Sequence, residues 1–282
     1  MRLNNPKSEI HVPDGSPLDV ALPRTTHMGV GAHPDDLEIM AWHGMLACYG
    51  KSGQHFSGVT VTNGAGSPRD GVYAHYTDEK MQAVRRAEQK KAAYVGNYSA
   101  QFLLDYSNSA VKDSSSPNLV DDLKQIITAT TPHVIYTHNL ADKHDTHVAV
   151  ALRVIRALRE LPLEARPEKL YGCEVWRNLD WVNDEEKVVF DVSAHENLAA
   201  SLVGVFDSQI AGGKRYDLAT LGRRRANATY LESHATDAAT AVIFGIDLTP
   251  LIVDTTLDLN LYIRGLIDRF AKDVSDRIGK LS

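Results

Sequence analysis

Five residues in two short stretches could do hydrolytic chemistry together. Ala32-His33-Pro34-Asp35-Asp36 offers one imidazole and two carboxylates, and His144-Asp145-Thr146-His147 offers two more imidazoles. His33 and Asp36 stand three apart where a strand gives way to a helix, so both can face one point. With His147 they make a set of two nitrogens and one carboxylate, which leaves a tetrahedral ion an open position for water. Water on zinc ionises near neutrality, far below its bulk value of about 15.7. Zn2+ suits the set best, and Fe2+ accepts the same two-His, one-carboxylate arrangement. Asp35 diverges from its neighbour Asp36 and is placed to take a proton as general base. His144 would sit at the rim, stabilising an oxyanion as an imidazolium or protonating a leaving amine. Asp142 or Asp145 would orient one of these rings. The inventory suits cleavage of an unreactive bond such as an amide. The remaining histidines, among them His43, His133 and His138, read as packed or surface residues.

The elements that must position these groups alternate. Strand patterns cover 27–32, 57–62, 101–104, 134–137 and 170–176, and helical patterns cover 38–50, 78–95, 117–130 and 144–161. Such alternation implies parallel pairing through right-handed crossovers. The architecture expected is a Rossmann-like three-layer α/β sandwich with a mainly parallel sheet. Both chemical motifs directly follow strands, at the sheet edge where such folds bind ligands. Beyond Trp181 the pattern changes: an edge strand at 188–192 is followed by helical stretches at 195–206, 214–230 and 257–278. The chain divides into an N-terminal arm laid over the surface (1–26), a core (27–210) and a mainly helical C-terminal extension packed on the same domain (211–282).

Bulk properties narrow the function classes. The chain has 282 residues, 43% hydrophobic and 23% charged, with a net charge of −6. It lacks the basic surplus of a nucleic-acid binder. The one dense basic run, Arg223-Arg224-Arg225, reads as a solvated or interface face of a helix. No apolar run approaches the ~20 residues needed to span a bilayer, and the first residues lack a signal-peptide core. Cys48 and Cys173 read as reduced, partly buried thiols, which makes a cytoplasmic location the default.

The chain resembles the LmbE-like family, also called PIG-L, of metal-dependent N-acetyl-sugar deacetylases. The stretch Ala32-His33-Pro34-Asp35-Asp36-Leu37-Glu38 is similar to the family's first signature. Arg85-Arg86-Ala87-Glu88 followed by Lys91-Ala92-Ala93-Tyr94-Val95-Gly96 resembles its Arg-x-x-Glu helix. Pro132 to His138 with Asp142 to His147 resembles its second signature. Weaker similarity extends the match over roughly residues 27–210. The resemblance implies zinc-dependent removal of acetyl from an N-acetylglucosamine-type sugar or conjugate. It further implies His33, Asp36 and His147 as ligands, Asp35 as base, His144 at the oxyanion and Arg85 against substrate. Relatives often form homo-oligomers.

The chain departs from the family pattern at three points. Thr146 precedes His147 where Asp is usual, with the acid at Asp145 instead. Asn63 precedes Gly64 where Asp is usual, and Asn108 stands where an acidic sugar-contacting residue is expected. Two amides in place of carboxylates imply a less acidic pocket and an altered substrate. Trp176, Asn178 and Trp181 could stack on a sugar or simply pack. Competing readings are another metal-dependent amidase, a phosphoesterase, or a non-catalytic sugar-binding protein. Only Arg69, Arg85 and Arg86 could clamp a phosphate, which favours the amide, and retention of both Asp35 and His144 favours an enzyme.

Overall fold

The computed structural model describes residues 1–282. Eight strands form one sheet: β1 (Glu9–His11), β2 (His27–Gly31), β3 (Phe56–Thr62), β4 (Ala100–Tyr106), β5 (Val134–His138), β6 (Lys169–Cys173), β7 (Val188–Asp191) and β8 (Val242–Asp247). Their order is β1-β4-β3-β2-β5-β6-β8-β7. The five strands from β4 to β6 run parallel, while β1, β8 and β7 pair antiparallel at the two flanks. Strand order reverses between β2 and β5, which are neighbours paired from His27–Val134 to Gly29–Tyr136. That is the switch point at which open α/β sheets bind ligands.

The helices are α1 (Leu18–Ala21), α2 (Asp36–Met40), α3 (Trp42–Cys48), α4 (Asp78–Val95), α5 (Asn108–Lys112), α6 (Asn118–Thr130), α7 (Asp145–Glu160), α8 (Glu196–Gly204), α9 (Asp207–Ile210), α10 (Tyr216–Tyr230), α11 (Pro250–Val253) and α12 (Leu259–Leu281). They cover both faces of the sheet. On one face α6, α7 and α12 bury Leu123, Ile127, Val150, Val154 and Leu266 against Val30, Val59, Phe102 and Ile135. On the other, α2, α3, α4 and α8 bury Leu37, Trp42, Ala92 and Leu202 around Phe56, Tyr136 and Phe190. The parallel strands are buried on both faces, which explains their near-continuous apolar runs. The three-layer, mainly parallel architecture expected from the alternation is therefore present. No helix is long and apolar enough to cross a membrane, and both cysteines are free and buried.

Four local expectations differ from the structure. The N-terminal segment is more than a surface arm, because Glu9–His11 adds an edge strand to β4, tied down by the ion pair of Glu9 with Arg86 at 3.0 Å. Three residues are too short a run to announce a strand. The helix expected over 38–50 is two helices, interrupted at Ala41, whose φ and ψ are −105° and 17°. The second of them brings Gly44 so close to the Tyr136 ring that a Cβ would lie 2.5 Å from it. Strand β8, within the stretch read as mainly helical, sits inside the sheet between β6 and β7. Val242, Phe244 and Ile246 enter one core and Ile243 the other, so β8 shows no alternation to mark it. Finally, Arg224 is not on a solvated face: it is 4% exposed.

Candidate active site

The first motif begins where β2 ends. The chain turns through Pro34 and Asp35 into α2, and Asp35 takes φ 96° and ψ −28°. A positive φ at a non-glycine residue costs on the order of 1–3 kcal/mol and persists only where the surroundings fix it. Here they do. The Asp35 amide donates to Gln89 Oε1 at 3.2 Å, and Arg85 of α4 donates to the Pro34 carbonyl. Arg85 also lies 3.4 Å from Asp35 Oδ2 as a buried ion pair. Gly64, at φ +72°, lets the turn after β3 pass over Arg85, since a Cβ there would come within 3.1 Å of the arginine side chain.

The second motif follows β5. The Asp142 carboxylate accepts from the His144 amide at 2.9 Å and from the Trp176 amide at 3.0 Å. It thereby ties the start of α7 to the chain beyond β6. His144 is the N-cap of α7, its Nδ1 accepting from the Thr146 amide at 3.3 Å. His147 lies one turn into the helix and is fully buried.

The two motifs converge. His33 Nδ1 and His147 Nε2 are 3.2 Å apart, His33 Nδ1 and Asp36 Oδ2 3.3 Å, and His147 Nε2 and Asp36 Oδ2 3.4 Å. For ligands about 2.0–2.1 Å from a tetrahedral ion, the expected edge is roughly 3.3–3.4 Å. The donor atoms thus already form one face of such a tetrahedron, and their residue types fit zinc or iron(II). The wider cluster forms two overlapping groups, His33-His144-His147 and Asp36-His138-His147, whose donor atoms lie within 4.8 Å of one another. The two groups share His147, and the His33–Asp36–His147 triangle draws His33 from the first and Asp36 from the second.

The two adjacent carboxyls are driven apart electrostatically. Burial pushes Asp35 up to about 7, only partly opposed by the Arg85 guanidinium. Burial also works to raise Asp36, but the imidazoles of His147 and His138 outweigh it and hold that carboxyl well below the usual range. One neighbour is thus a permanent anion and the other a proton acceptor near neutrality, an arrangement that separates ligand from base. Burial and the nearby His33 lower the pKa of His144. Its Nδ1 accepts a backbone hydrogen bond, so the neutral ring carries its proton on Nε2.

The remaining expected residues divide. Asn108 and Arg85 line a pocket of about 220 Å³ with His33, Asp35, Asp36 and His144. Arg85 is 1% exposed and engaged with Asp35, and Glu88, one turn further along α4, accepts from the Ser208 hydroxyl (2.6 Å). Asn63 does not line the pocket: its Oδ1 accepts from the Ala65 amide at 3.2 Å and shapes the turn. Asp142, with Oδ1 3.7 Å from His147 Nδ1, is the carboxylate beside a motif ring, whereas Asp145 is exposed on the first turn of α7. Trp176 lines the pocket with Lys214, Gln209 and Tyr216, but Trp181 instead donates to the Asn178 carbonyl at 3.0 Å. His138 was missed. It is fully buried, stacks on His147 at 3.9 Å and stands 3.4 Å from Asp36 Oδ2. Its position at the end of β5, next to β2, was the available signal.

Fold and site together define an α/β protein with a metal-ligand constellation at the switch point of its sheet. A family model described as PIG-L, GlcNAc-PI de-N-acetylase, matches residues 28–158. The chain carries a PIG-L, or LmbE-like, domain over that span. No curated protein matches it in sequence. Among solved structures it is similar to the N,N'-diacetylchitobiose deacetylase of Pyrococcus horikoshii, at 15% identity and a TM-score of 0.65, covering 84% of this chain and 88% of that one. It is similar to the 4-carboxy-2-hydroxymuconate hydratase of Pseudomonas putida, at 16% identity and a TM-score of 0.60, covering 83% and 99%. It is also similar to the zinc-inhibited form of a teicoplanin deacetylase, at 14% identity and a TM-score of 0.56, covering 79% and 97%. At such identities the likeness concerns the fold. The fold serves both deacetylases and a hydratase, so it does not choose the reaction.

Proposed function

We propose that the protein is a metal-dependent N-deacetylase acting on an N-acetylglucosamine-type sugar or conjugate. The observation that carries this reading is the triangle of His33 Nδ1, Asp36 Oδ2 and His147 Nε2, with edges of 3.2, 3.3 and 3.4 Å, beside the buried carboxyl of Asp35. The PIG-L domain over residues 28–158 supports it. His33, Asp36 and His147 would hold the ion, with zinc favoured by the donor set and iron(II) compatible. When bound, the ion supplies an acidified water and polarises the scissile carbonyl.

The chain's own residues supply the proton chemistry. Asp35 takes a proton from the attacking water as its oxygen bonds to the acetamide carbon. His144 Nε2–H donates to the oxygen that gains negative charge. Asp35, whose burial keeps its carboxyl protonatable near neutrality, then passes the proton to the amide nitrogen as the carbon–nitrogen bond breaks. Acetate and a free amine leave, and the carboxylate is restored. Asp142 ties down the start of α7 through the His144 amide and places its carboxylate 3.7 Å from His147 Nδ1. Arg85 holds the Asp35 turn and opposes its protonation. Asn108, Trp176 and Tyr216 form the wall against which the sugar would lie. The free thiols support a cytoplasmic location.

The test is acetate release from a set of N-acetylated sugars by metal-loaded protein, with a chelated control. Deacetylation that disappears with the metal and in Asp35→Ala supports the reading. Full turnover by Asp35→Ala removes the assigned base, and hydration of a carbon–carbon double bond without acetate release replaces the reaction class.

A further inference from the structure

Arg224 lies in the middle of α10 and is 4% exposed. Its Nη2 donates to the carbonyls of Glu38 at 2.7 Å and Ile39 at 3.1 Å, in the helix that carries Asp36. Its Nε and Nη1 are buried with no partner in the chain. The neighbouring carboxylates are committed elsewhere. Glu174 accepts from the Leu179 amide at 2.9 Å, the Asn227 side chain at 2.9 Å and the Phe244 amide at 3.1 Å. Glu196 lies 3.7 Å from Arg225. Burial lowers the Arg224 pKa to about 9, which still leaves the group charged at neutral pH. A buried cation without a countercharge is strongly unfavourable unless an anion meets it.

Arg224 lies between two cavities, one of about 250 Å³ beside Glu196 and Ala241 and one of about 140 Å³, room for several waters or a small organic anion, that adjoins the catalytic pocket. The smaller cavity shares Ile39, Val175, Trp176 and Tyr216 with the catalytic pocket. Val242 and Ile243 continue its apolar wall. The polar part of the lining is Arg223, Arg224, Thr220, Asn227 and Glu174, whose carboxylate is taken up by Leu179, Asn227 and Phe244. Two arginines facing a mainly apolar remainder match a singly charged carboxylate with a short alkyl tail better than a phosphate, which needs polar partners on every side and would be repelled more strongly by Glu174.

We propose that Arg224 and this cavity form an anion subsite, opening off the catalytic pocket, that takes a small aliphatic carboxylate of acetate to butyrate size. Its identity as an anion site is independent of the deacetylase reading. Only the source of the carboxylate, the acid freed by amide hydrolysis next door, rests on that reading.

The experiment needs no substrate. Thermal unfolding and calorimetric titration of the full-length protein, with and without chelator, are followed against propionate, acetate and phosphate at constant ionic strength, with chloride as reference. The expected result is a saturable Tm rise of roughly 2–4 °C with propionate. That rise should be at least tenfold weaker in its concentration dependence in Arg224→Met, and retained in Asp35→Asn and in chelated protein. Arg224→Lys keeps a cation and should respond in part, which covers the case in which the Met variant does not fold. A wild-type protein indifferent to propionate overturns the proposal and leaves Arg224 as a clamp on the carbonyls of α2. An equal response in Arg224→Met, or a response to phosphate without one to propionate, also overturns it.

Discussion

Asp35 and Asp36 are adjacent, both carboxylates and both buried, yet their surroundings give them opposite tasks. Asp36 faces the imidazoles of His33, His138 and His147; Asp35 faces one guanidinium across 3.4 Å. Replacing Asp35 by Asn should keep the ion and lower kcat by ~10²–10⁴, checked by metal analysis beside turnover. Arg85 tunes the base. A general base must be ionised, so kcat/KM rises with pH through the Asp35 pKa. Arg85 opposes burial and lowers that pKa, so Arg85→Met should move the acidic limb to higher pH, by ~1 unit or more. An unmoved limb in the pH profile would detach Arg85 from the base. At this scale the sequence was legible where chemistry is contiguous: His33, Asp35 and Asp36 announce themselves together. His138 was not, because a lone histidine ending a strand looks like any packed one until its sheet neighbour is known. Asn63 and Asp145 were misplaced for a related reason, since a change of residue type does not reveal whether the side chain caps a turn, faces solvent or enters a pocket.

The elements that hold these residues meet at the carboxyl ends of β2 and β5. The alternating pattern revealed both strands, and their adjacency is what places His147 near His33. The turn after β3 is the third support. Gly64→Ala should lower stability by ~1 kcal/mol, through its positive φ and the crowding of Arg85. The loss should read as a shift in denaturant midpoint at constant m, and an unchanged midpoint would mean the turn is free to move. The break at Ala41 and the short β1 were illegible because neither carries a proline, a cap or a long enough run to mark it. Strand β8 was hidden by being buried on both faces within a stretch dominated by helical periodicity.

Across the whole molecule, burial holds His27, His43 and His147 neutral, each lowered to about 4. The unfolded chain binds these protons near 6.5 and the folded chain only near 4. These three rings therefore contribute a loss of stability as pH falls from 6.5 to 4 in the metal-free protein, offset in part by Asp35 and Glu38, whose buried carboxyls, raised to about 7, take up protons in the folded chain first. Tm measured across that window for the wild type and for His43→Gln checks the histidine share: the wild type should lose more stability than the variant as pH falls, and parallel profiles would contradict the burial of His43 as a neutral group. The measurement that bears most directly on the account is the number of divalent ions bound per chain, determined together with acetate release. The account predicts one ion per chain in the wild type and in Asp35→Asn. It predicts at least tenfold weaker binding in His33→Ala, Asp36→Asn and His147→Ala, and acetate release only where ion and Asp35 are both present. Ion binding undiminished by those three substitutions, or acetate release from fully chelated protein, would contradict it.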